Sequence, residues 1–268
     1  MSAHFVSDDL WERVAPLLPA RAPRRHRYPG RLPADDRAAL RGIVYVLRKS
    51  VSWRDVPAEQ VGCSGVTAWR RLRDWTEAGV WPRLHEVLLA ELRRDGLLEM
   101  DDAAIDASHV RALRGAHTGP SPVDRARPGS KHHLIVDRNG TPLTVSPTSG
   151  NRHAVTQLMP LLDATPRIRG LRGRPRHRPR QLFADRGYDF DKYRRLIRAH
   201  GITPKIARRG ASHGSGLGKT RWVVERTFAW LHQFKRLRIR YEIRAELHLG
   251  LLQLACSIIC LRRLKTSF

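Results

Sequence analysis

The sequence predicts an α/β protein in two parts, with an all-helical unit over residues 1–95 and a mixed sheet flanked by helices over residues 96–268. Three observations support this prediction. Apolar residues recur at helical spacing through the first part. Short apolar runs of strand length begin near residue 98, and two of them flank Asn139-Gly140, a pair typical of a β-hairpin. Strand and helix patterns then alternate towards the end of the chain.

Basic residues dominate the charge of the chain. Its 268 residues, enough for a sizeable core, include 50 Lys and Arg against 25 Asp and Glu, for a formal net charge of +25. Such a charge attracts polyanions, and nucleic acid and acidic membrane surfaces are the two candidates. The arginines are spread among folded segments instead of forming one basic terminal block, so we favour nucleic acid.

The apolar segments argue against a membrane span. No run reaches the ~18 apolar residues that a span needs, and residues 247–264, which come nearest, are predicted to form a buried helix because polar residues interrupt them. Cys63, Cys256 and Cys260 lack metal-ligand spacing and are expected to be reduced core thiols. The N-terminus has no signal-peptide pattern, so we expect a cytoplasmic, nucleoid-associated protein.

Capping residues and apolar periodicity organise the first part. Ser7 can cap a first helix that ends before Pro19, and further helices are predicted over residues 36–49 and 80–94. Residues 21–34 hold five arginines among prolines and a glycine, which indicates a loop or basic arm.

Residues 57–78 have the pattern of a helix-turn-helix DNA reader. Pro57 begins a short helix, Gly62 interrupts it, and Ser64 begins a second helix. The inward positions of the second helix are predicted to be Val66, Trp69, Leu72 and Trp75. Its outward positions, which we predict to contact DNA, are Thr67, Arg70, Arg71 and Arg73. A small helical bundle with a charged face would show the same pattern, so that alternative stays open.

The order of elements in the second part matches a ribonuclease H-like layout. The predicted elements are a strand at 103–108, an exposed loop at 109–131, a hairpin at 134–145, a helix at 153–162, a strand ending at Asp185, a helix at 189–200, a strand at 202–206, a loop at 207–219 and a long helix from about 220. Three strands followed by alternating helices and strands form the ribonuclease H-like arrangement. Residues 167–180 carry seven arginines and are predicted to be a surface loop with phosphate affinity or a disordered connector.

Two acidic residues end predicted strands in this part. Asp106 lies at the end of the first strand, and Asp185 ends another strand 79 positions later, counting from 106 to 185. These strands are neighbours in a ribonuclease H-like sheet, so both carboxylates can meet at one sheet end. Phosphoryl transfer with two Mg²⁺ ions needs about three carboxylates on rigid elements. Glu225, in the late helix, can supply the third.

A helical projection of the late helix separates two faces. Apolar residues cover one side: Val223, Val224, Phe228, Trp230, Leu231, Phe234 and Leu237. The other side holds Arg221, Glu225, His232 and Arg236. Glu225 can be a metal ligand between phosphate-binding cations, or it can form only an exposed Arg221–Glu225 ion pair worth about 0.3–0.5 kcal/mol. Asp185 in turn can be only a helix cap.

The other candidate side chains have structural interpretations. Asp137 suits the hairpin turn, Asp101 and Asp102 are expected to be solvated, and Asp189 and Asp191 are expected to serve a helix dipole. Three histidines near the predicted site are interpreted as phosphate or structural contacts: His109, His153 and His232.

Blocks of residues in both parts form a series that resembles a known family. The blocks are residues 10–12, 16–19, 42–48 and 53–57 in the first part, and 105–108, 149–153, 184–189 and 223–228 in the second. Together, and in this order, they resemble bacterial insertion-sequence transposases of family five over nearly the whole chain. The resemblance implies a DDE transposase in which Asp106, Asp185 and Glu225 bind two Mg²⁺ ions, with Mn²⁺ as a substitute.

Such an enzyme cuts at the terminal inverted repeats of its own element and joins the 3′ hydroxyl ends to target DNA. The implied partner is double-stranded DNA, with a homodimer or larger assembly when two ends are paired. The residues expected to bind DNA in the second part are Asn151, His153, Arg221, Arg226, His232, Lys235 and Arg236.

Two positions of the late helix depart from the family pattern. Arg221 matches the family's arginine, whereas Gly218 and His232 stand at the usual tyrosine and lysine positions. These departures affect the residues that bind phosphate and the transposon end, and they do not affect the three acids. Two other functions share parts of the pattern: a metal-dependent nuclease without strand transfer, and a non-catalytic DNA-binding descendant. Retention of all three acids argues against the second.

Overall fold

The computed structural model describes residues 5–21, 27, 32–210, 216 and 218–265. The predicted basic arm at 21–34 and the predicted loop at 207–219 lie partly outside the described residues.

The first part is helical, and side-chain caps begin three of the helices described below. The helices are α1 (Asp8–Val14), α2 (Asp36–Lys49), α3 (Ala58–Val61), α4 (Gly65–Glu77) and α5 (Val80–Arg94). Ser7, Asp35 and Ser64 each accept a hydrogen bond from a backbone N–H in the first turn of α1, α2 and α4. The predicted bounds of α2 and α5, the predicted cap Ser7 and the predicted start of a helix at Ser64 are confirmed.

The second part contains a mixed sheet. Its strands are β1 (Asp102–Ala112), β2 (Gly119–Pro120), β3 (Pro128–Asp137), β4 (Pro142–Ser149), β5 (Gln181–Ala184), β6 (Thr203–Ile206) and β7 (Ile239–Arg240). The order is β2-β3-β1-β5-β6, with β4 also on β3 and β7 on β1. β1 pairs antiparallel with β3 and parallel with β5, and β5 pairs parallel with β6. The predicted ribonuclease H-like fold is confirmed.

The predicted exposed loop at 109–131 is wrong at both ends. β1 continues through Ala112 and β3 begins at Pro128, with Arg111 opposite Gly129. β7 also pairs with the end of β1, at Arg111 and Ala112. Pairing with strands on both sides satisfies the backbone N–H and C=O groups at the end of β1. The strand continues there although its side chains lack the apolar pattern of a strand.

Helices cover the sheet and join it to the first part. They are α6 (Leu158–Asp163), α7 (Asp191–Ala199), α8 (Gly218–His232) and α9 (Ala245–Lys265). α9 packs against α4 and α5 and also against β4 and α8. By length and composition, α9 is the one helix of the described residues that could cross a membrane. However, 78% of its most apolar 18-residue stretch is buried inside the protein. The predicted buried helix at 247–264 is therefore confirmed, with Cys256 and Cys260 unpaired in its core.

One hydrophobic core runs through both parts of the chain. The predicted boundary between residues 95 and 96 falls in the turn after α5. Buried side chains of α2, α4 and α5 belong to the same cluster as those of β1, β3 and α9. The helical part and the sheet thus share their interior through α9.

A buried polar chain reinforces this junction. The Nε2 atoms of His132 in β3 and His248 in α9 are 2.8 Å apart, so one ring donates to the other. His248 Nδ1 lies 3.5 Å from a carboxylate oxygen of Glu242, which pairs with Arg236 at 2.8 Å. Arg236 also donates to the carbonyl of Val51 at 3.0 Å. The chain thus links the sheet, α9 and the segment after α2.

Gly65 permits a close contact at the start of α4. A Cβ added to this residue would lie 1.6 Å from the carbonyl oxygen of Trp53. We expect Gly65→Ala to lower the free energy of unfolding by about 3 kcal/mol, the upper end for overpacking, because backbone must move. Gly218→Ala is the matched control, since a Cβ there meets nothing within 4 Å.

Urea unfolding of both variants measures the difference. A Gly65→Ala variant as stable as wild type would show that α4 can shift away from Trp53 without loss of packing.

Candidate active site

Asp106 was predicted at the end of the first strand, but it occupies the middle of β1, opposite Leu134 of β3, because β1 continues to Ala112. Its Oδ1 accepts a hydrogen bond from the backbone N–H of Ala107 at 2.8 Å, and its Oδ2 accepts one from Arg221 Nη1 at 2.8 Å. The side chain is 21% exposed. Two donors therefore fix the orientation of a mostly buried carboxylate.

Asp185 directly follows β5 on the neighbouring strand. The parallel register pairs Asp102 with Gln181, an offset of 79, and the same offset separates Asp106 from Asp185. Asp185 Oδ1 is buried and has no hydrogen-bond partner among the described residues. A Cβ at Gly187 would lie 3.0 Å from this oxygen, so glycine keeps the turn clear of the carboxylate.

Glu225 approaches from α8, which packs against both β1 and β5. Its side chain is 60% exposed, and Oε1 lies 3.1 Å from Arg221 Nη2. One guanidinium therefore contacts both Asp106 and Glu225. The predicted ion pair between Arg221 and Glu225 is present, and it belongs to a larger charge cluster with Asp106.

Burial and neighbouring negative charge favour the protonated form of two groups in the site. Burial raises the pKa of Asp106 to about 6, with the charges of Asp185 and Glu225 adding to the effect and Ala107 N–H and Arg221 opposing it. Burial, together with Asp106 and Asp185, also raises the pKa of the Tyr188 hydroxyl well above its ordinary value. The Tyr188 hydroxyl is buried without a partner among the described residues.

The donor set suits a hard divalent cation, because three carboxylates offer only oxygen ligands. Within the described part of the chain, no three His, Cys, Asp or Glu side chains stand close enough to hold a metal ion as they are. Here the guanidinium of Arg221 supplies the positive charge shared by Asp106 and Glu225. Asp185 Oδ1, buried and without a partner, keeps a lone pair for a cation.

Two predicted DNA contacts have partners within the protein: Arg226 stays a prediction, whereas the burial of Arg236 contradicts its assignment. Arg226 lies between Trp222 and Trp230, at 4.4 and 4.9 Å from the ring centroids, and donates to the carbonyl of Asn139 at 2.7 Å. Arg236 is buried in the ion pair with Glu242 described above. α8 ends at His232, so the helical projection does not apply to residue 236.

The other predicted contacts of the second part remain predictions. Asn151, His153 and Lys235 are exposed. The His153 ring accepts from the backbone N–H of Val155 and meets Phe190 edge to face. His232 is half-buried, and burial lowers its pKa, followed by the charge of Arg238. His109 is half-buried like His232, whereas His153 is exposed.

The helix-turn-helix elements are present as α3, Gly62 and α4. Gly62 has a φ of +86°, the left-handed conformation that ends α3. Val66, predicted to point inward, is 50% exposed, and Ala68 is buried in its place. The small side chain of Ala68 fits against Gly42, where a Cβ would come within 2.8 Å.

The arginines of α4 differ in whether they form ion pairs within the protein. Arg71 lies 3.1 Å from Asp36 and 3.8 Å from Asp74, and Arg73 lies 2.8 Å from Asp74. Thr67 shares a hydrogen bond with Ser64. Arg70 is exposed on the outer side. Contact of these residues with DNA remains a prediction.

Two side chains near the site have roles that the sequence interpretation missed. Asp189, expected to serve a helix dipole, is buried and accepts from Arg194 Nε at 2.6 Å and from the Arg209 backbone at 2.7 Å. It thereby ties the turn after Asp185 to α7. Tyr188 contributes its buried hydroxyl beside the carboxylates. The Asp-Arg-Gly-Tyr-Asp block itself was the available signal, since five consecutive residues there are polar or turn-forming.

Asp106→Asn is expected to stabilise the metal-free protein at high pH. The pKa of Asp106 is about 6 in the folded chain against an ordinary 3.8. The folded state therefore keeps a proton between about pH 4 and 6 that the unfolded state loses, and stability falls as pH rises through this window. At 1.36 kcal/mol per unit, the full effect is about 3 kcal/mol above pH 6, less the lost pairing with Arg221.

Urea unfolding with a chelator at about pH 4 and pH 8 measures this difference. The gain should appear at the higher pH and vanish at the lower one. Asp124→Asn, in an exposed loop, corrects for the change in net charge. An equal effect of Asp106→Asn at both pH values would contradict the assignment of the raised pKa.

Two family models match the chain. Residues 6–85 match the family described as "Putative transposase of IS4/5 family". Residues 98–260, more than half of the chain, match the family described as "Transposase DDE domain". The second match includes Asp106, Asp185 and Glu225.

Individual proteins show the same similarity. The chain is 61% identical over 148 residues to "Putative transposase for insertion sequence element IS402" of Burkholderia cepacia, covering 55% of this chain and 70% of that protein. It is 27% identical over 154 residues to "Transposase for insertion sequence element IS1106" of Neisseria meningitidis serogroup B, covering 52% and 47%.

Among solved structures, the Mos1 strand transfer complex matches distantly, with 12% identity and a TM-score of 0.32 over 89% of this chain and 81% of that one. The family assignment comes from the sequence matches: the DDE domain covers the sheet, α8 and all three acids. This chain belongs to the DDE transposase family.

Proposed function

We propose that this transposase nicks DNA at the terminal inverted repeats of its own insertion sequence and joins the freed 3′ hydroxyl ends to target DNA. The observation that supports the proposal is the parallel register of β1 and β5, which brings Asp106 level with Asp185, while Arg221 links Asp106 to Glu225 of α8. Membership of the DDE family implies dependence on a divalent metal. We assign the metal to two Mg²⁺ ions, for which Mn²⁺ can substitute.

The three carboxylates would hold the ions. When bound, two Mg²⁺ ions would activate the attacking oxygen and stabilise the leaving oxygen at phosphorus. Asp106 would present its carboxylate in the orientation that the Ala107 N–H fixes. Asp185 would use the oxygen that has no partner among the described residues. Glu225, being the most exposed of the three, would close the site from α8.

Arg221 would change partners during this reaction. Its guanidinium now compensates Asp106 and Glu225. Once the acids are occupied, Arg221 loses both attractions and can turn to a DNA phosphate, which its forked donors suit. The same side chain would thus pair with Asp106 and Glu225 before the metal binds and contact the DNA afterwards.

Double-stranded DNA is the proposed partner. The net charge of +25 supports it. We assign α4 to the terminal repeats, with Arg70 and Thr67 on its outer side as contacts. Pairing two ends requires at least two copies of the chain, so a homodimer or larger assembly is proposed for the reaction, in association with the nucleoid.

Asp185→Asn is expected to reduce Mn²⁺-dependent nicking of an end-containing duplex by about 10³-fold or more, because a loss of about 4 kcal/mol of transition-state stabilisation has that effect. Binding of the same duplex should stay within about threefold. Asp163→Asn, at an exposed carboxylate of α6, is the control and should cut like wild type.

Adding target plasmid to the same reaction separates the functions that share these acids. Joined products support a transposase, whereas nicked ends without joined products would indicate a nuclease. A fully active Asp185→Asn variant would remove this residue from the site. No nicking by wild type under any metal condition would favour a non-catalytic descendant.

Metal binding has a readout that does not depend on activity. Mn²⁺ at about 100 times its Kd should stabilise the wild-type fold by about 2.7 kcal/mol, by mass action. Asp185→Asn and Glu225→Gln should lose most of this gain, whereas Asp163→Asn should keep it. Thermal unfolding with Mn²⁺ or with a chelator makes the comparison. An undiminished gain in both site variants would place the metal elsewhere.

A further inference from the structure

Residues 167–180, named here the arginine hairpin, form an ordered loop before β5. Ile168 and Arg176 pair as an isolated antiparallel bridge, with N···O distances of 2.7 and 3.1 Å. The Ile168 side chain is fully buried. The bridge closes a turn that exposes Arg169 and residues 171–174 to solvent, so the alternative of a disordered connector does not describe the loop.

Contacts with α5 hold the arginine hairpin in place. Arg93 of α5 donates to the carbonyl of Ile168. Gly170, with a φ of +113°, approaches α5 so closely that an added Cβ would lie 2.3 Å from the carbonyl oxygen of Ala90. At the other end, the backbone N–H groups of Arg180 and Gln181 donate to the carbonyl of Asp101. The hairpin is thus fixed to the body of the protein at both ends.

The cations of the arginine hairpin are only partly neutralised by carboxylates of the described residues. Asp101 takes two of them, Arg176 at 2.6 Å and Arg180 at 3.6 Å. Arg169, Arg172 and Arg174 are exposed, and no carboxylate of the described residues pairs with them. Holding like charges together costs free energy unless a polyanion binds them.

The pKa of His177, within the arginine hairpin, shows that several of these cations lie close together. The pKa of His177 lies below its ordinary value because of burial first, and then because of Arg178, Arg167 and Arg174. Three guanidinium groups therefore act on one ring, which indicates that the charges are concentrated on one surface.

The arginine hairpin lies at the opposite end of β5 from the carboxylates. It enters the strand at Gln181, and Asp185 follows the last residue of the same strand. Four residues of extended chain span about 13 Å at 3.3 Å per residue. A phosphate held by Arg172 or Arg174 is therefore not the phosphate that is cut beside Asp185.

We propose that the arginine hairpin is a second, sequence-independent binding surface for the backbone of double-stranded DNA. The proposal rests on the proposed function in taking DNA as the substrate. Guanidinium groups bind phosphate oxygens through paired donors. The hairpin contains no Phe, Tyr or Trp, the side chains on which single-stranded bases stack, so duplex is the form it suits.

The position of this surface determines which DNA it can reach. Base pairs are spaced about 3.4 Å apart, so a duplex that touches both the carboxylates and the hairpin must extend at least about four base pairs beyond the cut bond. The hairpin would hold flanking or target duplex in place while the end is cut, and would add affinity without adding sequence preference.

The test is a triple variant, Arg169→Gln, Arg172→Gln and Arg174→Gln, which leaves Ile168, Gly170 and Arg176 intact. Its control removes the same charge from three scattered exposed cations, through Lys49→Gln, Arg114→Gln and Lys192→Gln. Affinity for a duplex without the terminal repeat is measured over a range of salt. Each phosphate contact contributes about 0.9 to the slope of log K against log salt.

The hairpin variant should lose about 2 to 3 from that slope, and the scattered control less than about 1. A triple Arg→Lys variant should keep most of the wild-type slope, because it keeps the charge. A wild-type slope in the hairpin variant overturns the proposal, as does an equal loss in both Gln variants. Urea unfolding checks the fold, and Arg172→Gln alone, with an expected loss of about 1, serves if the triple variant unfolds.

Failure of this proposal and failure of the proposed function give different results. Wild type that nicks and joins ends while the hairpin variant keeps the full salt slope overturns only the hairpin surface. Wild type that shows the hairpin-dependent slope but never cuts ends overturns only the catalytic function.

Discussion

The parallel pairing of β1 with β5 is the constraint on which the site depends. A constant offset along the two strands brings Asp106 and Asp185 level, although a hairpin, a helix and the arginine hairpin separate them in the chain. Antiparallel pairing with β3 fixes β1 from its other side. Backbone hydrogen bonds of buried strands therefore position the two aspartates, and α8 needs only to bring Glu225 across them. A site that is built on strands in this way holds its ligands more rigidly than a site on loops.

Placing acidic side chains close together between β1, β5 and α8 has a cost in stability, which neighbouring residues partly offset. Asp106 is mostly buried next to two other acids, and Arg221 offsets part of the repulsion. Asp185 Oδ1 and the Tyr188 hydroxyl, both buried, have no partners among the described residues. Polar atoms left without partners in one place are typical of functional sites, where stability is reduced in favour of binding.

Local signals explain what the sequence predicted correctly. Apolar periodicity was sufficient to predict the bounds of α2 and α5, because each helix buries one regularly spaced apolar face. Asp106 and Asp185 could be paired in advance because both follow apolar strand runs in a known topology. The ends of β1 and β3 were missed because their residues are polar, and only their strand neighbours show that they continue.

The errors in side-chain roles have a common origin in tertiary contacts. A projection at constant angle extended α8 past His232, whereas the chain turns there and carries Arg236 into the core. Arg226, whose contact with DNA stays a prediction, has partners that its sequence position did not indicate: two tryptophans of its own helix and the carbonyl of Asn139. The rotation of α4 that exposes Val66 follows from the space that Gly42 leaves for Ala68.

The core that α9 shares between the helical part and the sheet has a consequence for the genetic element itself. No flexible tether separates α4 from Asp106, since α9 packs against α4, α5 and β4 at once. If α4 reads the DNA ends as proposed, the shared core fixes the distance between the bases that α4 recognises and the bond cut beside Asp106. Each base pair inserted between the recognised bases and the cut bond would rotate one against the other by roughly a tenth of a helical turn. If α4 reads the terminal repeats as proposed, insertions or deletions between the recognised bases and the cut bond would impair cutting more than base substitutions there.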